Sequence, residues 1–250
     1  MIRIAAVGDL HYGAGSRDLL RPSLQHLPDR ADLLLLAGDL TRCGGTEEVR
    51  VLAEELRGMP IPVVAVLGNH DYQTNHEDDV RRVLEGVGVT VLEGEGVTLD
   101  IDGARIGIAG TKGFGGGFRG AHASDFGEPE MKAFVGHTKK LSDRLEQTLT
   151  DLDADLRVAL LHYSPIETTL EGERLEIYPF LGSYLLAQAV DNAGADLILH
   201  GHAHHGTEKG RTPAGIPVRN VAQPVIRHAY NVYTLDARRD LMPAAAGGIS

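Results

Sequence analysis

The sequence predicts an α/β fold with two β-sheets, and three observations carry that prediction. Apolar runs of strand length alternate with helical patterns through residue 86, the signature of βαβ units and a mainly parallel sheet. Between residues 89 and 109 the period changes to short strands joined by tight turns, which points to antiparallel pairing and so to a second sheet. Five apolar runs also stop at an Asp, Asn or His. They end in Gly8-Asp9-Leu10-His11, Gly38-Asp39, Gly68-Asn69-His70-Asp71, His162, and His200-Gly201-His202-Ala203-His204. A strand buried on both faces offers no polar group along its length, so chemistry sits at its carboxyl end, where open α/β sheets bind their ligands.

Residues 2–7 read as the first strand, followed by an amphipathic helix carrying Leu19, Leu20, Leu24 and Leu27 that Pro28 ends. Residues 33–37 form a wholly apolar strand. Thr46 is placed to cap the next helix, whose first turn holds Glu47 and Glu48, and Pro60 and Pro62 close it before a strand at 62–67. Gly68 permits a turn there that a side chain would obstruct. A helix near 76–86 precedes strands at 89–92, 97–101 and 105–109. The stretch from Gly110 to Gly120 is too rich in glycine for a packed strand, yet it holds Lys112, Phe114, Phe118 and Arg119, which suits an ordered or closing loop near a site. Helical spacing then covers about 130–152, with Phe134, Leu141, Leu145, Leu149 and Leu152 on one side. A strand at 157–161 leads to a polar and aromatic loop at 166–178, a helix from Pro179 to about 192, and a strand at 196–200. Val218–Ala222 and Tyr230–Leu235 alternate as two further strands, expected to pair antiparallel beside the second sheet. One domain over 1–242 is expected, with the glycine-rich loop and helix of 110–152 as an insert and 243–250 as a frayed tail.

Composition narrows the function. A chain of 250 residues with 42% hydrophobic content can bury a sizeable core. With 24 Lys+Arg against 35 Asp+Glu, the formal charge of −11 disfavours loose binding to nucleic acid or anionic lipid. No apolar run approaches bilayer length, and the run after Met1-Ile2-Arg3 is too short for a signal-peptide core. A cytoplasmic location is therefore expected, and a lone Cys43 agrees with a reducing compartment.

The strand ends carry metal chemistry. Two divalent ions that share a nucleophile sit about 3.5–4 Å apart and need a bridging ligand. Asp39, alone at its strand end, is the natural candidate. Asp9 and His11 lie two residues apart, as do His202 and His204, so each pair can reach one position from one loop. Asn69 adds a neutral oxygen and His162 a neutral nitrogen. This mixed N/O set without thiolate suits Mn, Fe, Zn, Co or Ni, with manganese or iron foremost.

Asp9-Leu10-His11, Gly38-Asp39, Gly68-Asn69-His70-Asp71, His162 and Gly201-His202-Ala203-His204, in that order, resemble the five-block signature of the calcineurin-like metallophosphoesterases. The resemblance implies a four-layer αββα sandwich of two mixed sheets with a two-metal centre between its loops. It places Asp9, His11, Asp39 and His204 on one metal and Asp39, Asn69, His162 and His202 on the other. His70, outside both sets, suits a proton donor to the leaving oxygen, with Asp71 orienting its ring. The implied activity is phosphoester hydrolysis by attack of a metal-bridging hydroxide; a non-catalytic, metal-binding scaffold of the same fold is the alternative.

Other histidines read as structural or exposed, with His200 and His205 out of step with the ligand pair. Substrate choice falls to the loops, where Lys112, Arg119, His122 and Tyr163 are the candidates for contact with a phosphate or base. An acidic chain lacking a basic track and an amphipathic entry segment points to a small soluble phosphoester, a diester slightly ahead of a monoester, rather than nucleic acid or a membrane lipid. Oligomeric state leaves no mark in the sequence.

Overall fold

A computed structural model describes residues 1–236 of the chain. In chain order, β1 (Ile2–Val7), α1 (Arg21–Leu24), β2 (Leu33–Ala37), α2 (Thr46–Leu56), β3 (Val63–Val66), α3 (Glu77–Glu85) and β4 (Val89–Val91) build one parallel sheet and its helical cover. A hairpin of β5 (Glu95–Ile101) and β6 (Ala104–Thr111) opens the second sheet. The small ribbon of β7 (Gly117–Phe118) and β8 (Ala121–His122) precedes the long α4 (Pro129–Asp151) and then β9 (Leu156–Leu161). The rest follows as α5 (Tyr178–Leu181), α6 (Tyr184–Ala193), β10 (Leu197–His200), β11 (Lys209–Arg211), β12 (Pro217–Asn220), α7 (Gln223–Ile226) and β13 (Asn231–Leu235). The first sheet has the order β13-β1-β2-β3-β4 and the second β11-β12-β10-β9-β6-β5.

Strand periodicity divides the core into layers. In β2, Leu34 and Leu36 face the helices of the first half, whereas Leu33, Leu35 and Ala37 face the other sheet. In β9, Leu156, Val158 and Leu160 meet them from the second sheet, whereas Ala159 and Leu161 join Leu145, Leu149, Leu186 and Val190 of α4 and α6. Helices, sheet, sheet and helices are thus stacked in four layers, the αββα sandwich that the resemblance implies. Because β1, β2 and β3 are parallel in one sheet and β9 and β10 in the other, their carboxyl ends bring the five motif loops to one edge of the sandwich.

Several expectations need correction. The first helix is a single turn, and Leu19 lies outside it at 69% exposed because Glu55 of α2 takes the backbone N–H of Arg21 and starts the helix there. Gly45 rather than Thr46 caps α2, and Glu48 folds back to accept from Gly45 N and Cys43 N. β4 runs parallel to β3 in the first sheet, since the α3 crossover returns the chain to the same end. β12 lies parallel to β10, and β13 pairs antiparallel with β1 in the first sheet. The expected helix from Pro179 breaks at Gly182, where a Cβ would lie 2.0 Å from Ser164 O; Ser183 then caps α6 through Leu185 N. The glycine-rich stretch is buried from Thr111 to Phe118 apart from half-buried Phe114, and is tied to α5 and its exit by Gly116 N to Pro179 O and Gly117 N to Gly182 O. The expected domain end and tail, from residue 237 onward, lie outside the described residues.

Candidate metal centre

Backbone geometry at the strand ends is unusual. Asp9, His11, Asp39 and His202 adopt φ values of 57°, 45°, 48° and 71°, the left-handed region that side chains rarely enter. Non-glycine residues held there cost free energy and cluster at functional sites. Gly68 and Gly201 serve close approach rather than a left-handed turn. A Cβ on Gly68 would lie 2.1 Å from Asp39 Oδ1, and one on Gly201 would lie 2.4 Å from Asp9 Oδ2.

This packing gathers two donor groups that share one carboxylate. Asp9, His11, Asp39 and His204 form one, Asp39, His162 and His202 the other, and within each the ligand atoms all lie within 4.8 Å of one another. His204 Nε2 is 2.9 Å from Asp9 Oδ1 and 3.4 Å from His11 Nε2. Asp39 stands between the groups, its Oδ2 3.8 Å from His11 Nε2 and its Oδ1 3.3 Å from His162 Nε2. Asn69 joins the second group with Oδ1 2.9 Å from His162 Nε2. All seven residues that the sequence singles out as ligands are therefore together.

Main-chain carbonyls fix how the rings face. His162 Nδ1 donates to Ala37 O at 2.9 Å, so its Nε2 presents a lone pair to Asn69 and Asp39. His202 Nε2 donates to Phe180 O at 3.3 Å, which frees Nδ1. Burial pushes His162 well below the usual imidazole range and His202 down to about 3, and it lowers His11 as well. Those rings are neutral, as ligation requires. His204 is raised by its hydrogen bond to Asp9, whose own carboxyl is pushed up to about 6 by burial against that bond. Lone pairs of the neutral His11, His162 and His202 rings, carboxylate oxygens of Asp9 and Asp39 and the Asn69 amide oxygen converge, and His204 joins them by giving up the proton it shares with Asp9; this donor set fits a pair of divalent cations.

The other predicted residues divide. His70 lies at the rim, its Nδ1 donating to Arg42 O at 2.7 Å and its Nε2 3.9 Å from Asp39 Oδ2. Asp71 does not touch that ring, contrary to expectation. Fully buried, it accepts from Leu40 N, Thr41 N, Thr41 Oγ1 and Gly68 N at 3.1, 2.8, 2.6 and 2.8 Å, stapling the loop after β2 to the end of β3. Tyr163 lies against the centre, its ring 4.4 Å from that of His202, and Lys112 is buried beside Tyr163. Arg119 and His122 are exposed and flank Tyr184 instead, because the β7–β8 ribbon carries them outward. His200 is a packing histidine bonded to Gly201 O and Thr169 Oγ1. Sequence reasoning did not find Arg42, Ala37 and Phe180, which act here through carbonyl oxygens that every residue type carries.

The description of calcineurin-like phosphoesterases fits residues 2–206 as a family model. The chain belongs to this family. Among individual relatives of this calcineurin-like phosphoesterase, uncharacterized protein YpbG of Bacillus subtilis (strain 168) is 24% identical over 207 residues, covering 82% of this chain and 62% of YpbG. Glycerophosphodiester phosphodiesterase GpdQ of Enterobacter lignolyticus (strain SCF1) is 33% identical over 64 residues, 26% of this chain and 23% of GpdQ. The chain thus spans less than two thirds of the length of either protein. The crystal structure of phosphopantetheinyl hydrolase (PptH) from Mycobacterium tuberculosis shares the fold at a TM-score of 0.66 and 16% identity, with 96% of this chain and 98% of that one covered. No described helix of the calcineurin-like chain is long and apolar enough to cross a membrane.

Proposed function

We propose that this calcineurin-like phosphoesterase is a phosphoric ester hydrolase that uses two transition-metal ions, manganese or iron foremost, on a small soluble phosphoester. The observation that carries the reading is the convergence of two donor groups on the single carboxylate of Asp39. In this reading Asp9, His11, Asp39 and His204 hold one ion, and Asp39, Asn69, His162 and His202 hold the other. When bound, such a pair supplies water ionised near neutral pH and positive charge against the phosphoryl oxygens.

The chain's own residues set the rest. The carbonyls of Ala37 and Phe180 keep His162 and His202 turned to the centre. His70, its Nδ1–H donating to Arg42 O, faces the site with Nε2, and a proton carried on Nε2 is the one placed to pass to the departing alkoxide or aryloxide. The lone, half-buried Cys43 accords with a cytoplasmic setting. The GpdQ name, a diesterase, supports the slight lean toward diesters over 64 matched residues.

Hydrolysis of p-nitrophenyl phosphate and bis-p-nitrophenyl phosphate with added manganese tests the proposal. The wild-type protein is expected to exceed His70→Ala by about 10²–10⁴-fold in kcat. Equal background rates in the two proteins would identify a metal-binding scaffold instead.

A further inference from the structure

Lys112 is a buried cation with little to neutralise it. The residue follows the last position of β6, its carbonyl accepts from His162 N and Tyr163 N at 3.1 and 3.0 Å, and its side chain is 8% exposed. Three rings surround the ammonium, those of Tyr72, Phe114 and Tyr163 at 5.0, 5.1 and 5.4 Å. Its one hydrogen-bond acceptor among the described residues is Gly113 O at 3.3 Å. Burial pushes the Lys112 ammonium down from its ordinary value and the charges of Glu93, Asp39 and Glu77 oppose that only in part, since no described carboxylate lies within the 4.0 Å of an ion pair. Glu93 is already engaged by Tyr72 Oη, Lys112 N and Thr111 Oγ1 at 3.0, 3.2 and 3.4 Å.

An ammonium taken out of water without a partner is costly, and cation–π contacts offset only part of that cost. Tyr163 is the neighbour shared with the centre: its ring lies 4.4 Å from that of His202 and 5.4 Å from the Lys112 ammonium, and its hydroxyl makes no hydrogen bond to the described residues. A buried ammonium with one acceptor and a hydroxyl free of protein partners thus belong to two residues packed on each other beside the second donor group.

We infer that Lys112, aided by the Tyr163 hydroxyl, binds a charged oxygen of the phosphoryl group, and that this makes the site select dianionic phosphomonoesters over diesters. The inference rests on the proposed hydrolase reading and reverses its slight lean. A dianionic monoester spreads two negative charges over three terminal oxygens on phosphorus. A diester spreads one charge over two terminal oxygens, and turns an ester oxygen, a poor acceptor, toward the third position. Only the monoester gives Lys112 a full anionic partner once the Asp39 centre has taken its share.

The test compares wild type with Lys112→Met, which fits an aromatic surround, on p-nitrophenyl phosphate and bis-p-nitrophenyl phosphate, and measures binding of inorganic phosphate to the manganese-loaded protein by calorimetry. Loss of a charge-assisted hydrogen bond predicts a rise of about 10–100-fold in KM for the monoester and in the Kd of phosphate, with the diester KM changed less than about threefold and kcat changed less than KM. Lys112→Gln is held to the same outcomes should Lys112→Met fail to fold. Equal effects on both esters, or phosphate binding that is absent in wild type or unchanged in the variants, overturn the inference. A wild type that hydrolyses neither ester ends the hydrolase proposal, while phosphate binding still decides the role of Lys112.

Discussion

His162 Nε2 and Asn69 Oδ1 lie 2.9 Å apart with no proton to share, because the ring has given its proton at Nδ1 to Ala37 O. Two lone pairs at that distance repel unless a cation sits between them, and burial keeps the ring from charging. Manganese is therefore expected to stabilise the fold. At a concentration 100 times the Kd, each site adds about 2.7 kcal/mol, a rise of roughly 5–10 °C in Tm for a chain of this size. A melting curve unmoved by manganese and unmoved by chelator would count against the centre.

Asp39 serves both donor groups, so it is the most sensitive position. Asp39→Asn keeps the shape and one oxygen but loses the charge that faces His11 and His162 from opposite sides. Elemental analysis after dialysis is expected to find fewer than two ions per chain, together with loss of hydrolysis. Retention of two ions would show that Asp39 does not bridge.

Asp71 is expected to act on stability. It accepts four hydrogen bonds from Leu40, Thr41 and Gly68 and none from His70. Asp71→Asn turns an amide N–H toward backbone donors, at a cost of about 2–4 kcal/mol. Denaturant melts should show that loss, while the pH–rate profile of the folded variant keeps its shape. A displaced profile with unchanged stability would instead mark Asp71 as the group that tunes His70.

These residues also show what was legible before the fold was known. Leu33–Ala37 is fully buried, so polar groups could come only after its end; Asp39 alone reads as a turn residue, and it is the matching ends of the other four strands that mark it as a ligand. Asp71 was misjudged because adjacency to His70 in sequence says nothing about where its carboxylate turns, which Thr41 decides from another strand end. β13 alternates in burial, and alternation identifies a half-buried strand without naming its sheet. Gly182 interrupts a good helical pattern through contact with Ser164 O, a neighbour distant in sequence. Arg119 and His122 sit in a loop without periodicity, so residue type alone suggested a contact that the β7–β8 ribbon directs elsewhere.

Acid sensitivity away from the centre has a definite sign. Burial raises Asp32, but hydrogen bonds from the Arg3 guanidinium and backbone N–H more than offset it, leaving the carboxyl below the ordinary value of 3.8. A depressed acid contributes stability above its unfolded pKa and loses it as pH falls through the folded one. Asp32→Asn should therefore lower stability at neutral pH by about 1 kcal/mol and flatten the decline below about pH 4. Parallel acid limbs for the two proteins would contradict the assignment.

Two glycine substitutions should move in opposite directions. Gly136 lies within α4 with nothing within 4 Å of an added Cβ, so Gly136→Ala gains helix propensity without a clash. A gain of about 1 kcal/mol, or roughly 2–4 °C in Tm, is expected. Gly68→Ala meets Asp39 Oδ1 at 2.1 Å and Asp39 N at 2.2 Å, and the latter is backbone that cannot swing aside. Relief requires parting the loop after β2 from the end of β3, which separates Asp39 from Asn69. Gly68→Ala should therefore lose manganese binding as well as stability, and calorimetry showing wild-type manganese affinity in a folded Gly68→Ala protein would mean that this close approach does not set the geometry of the centre.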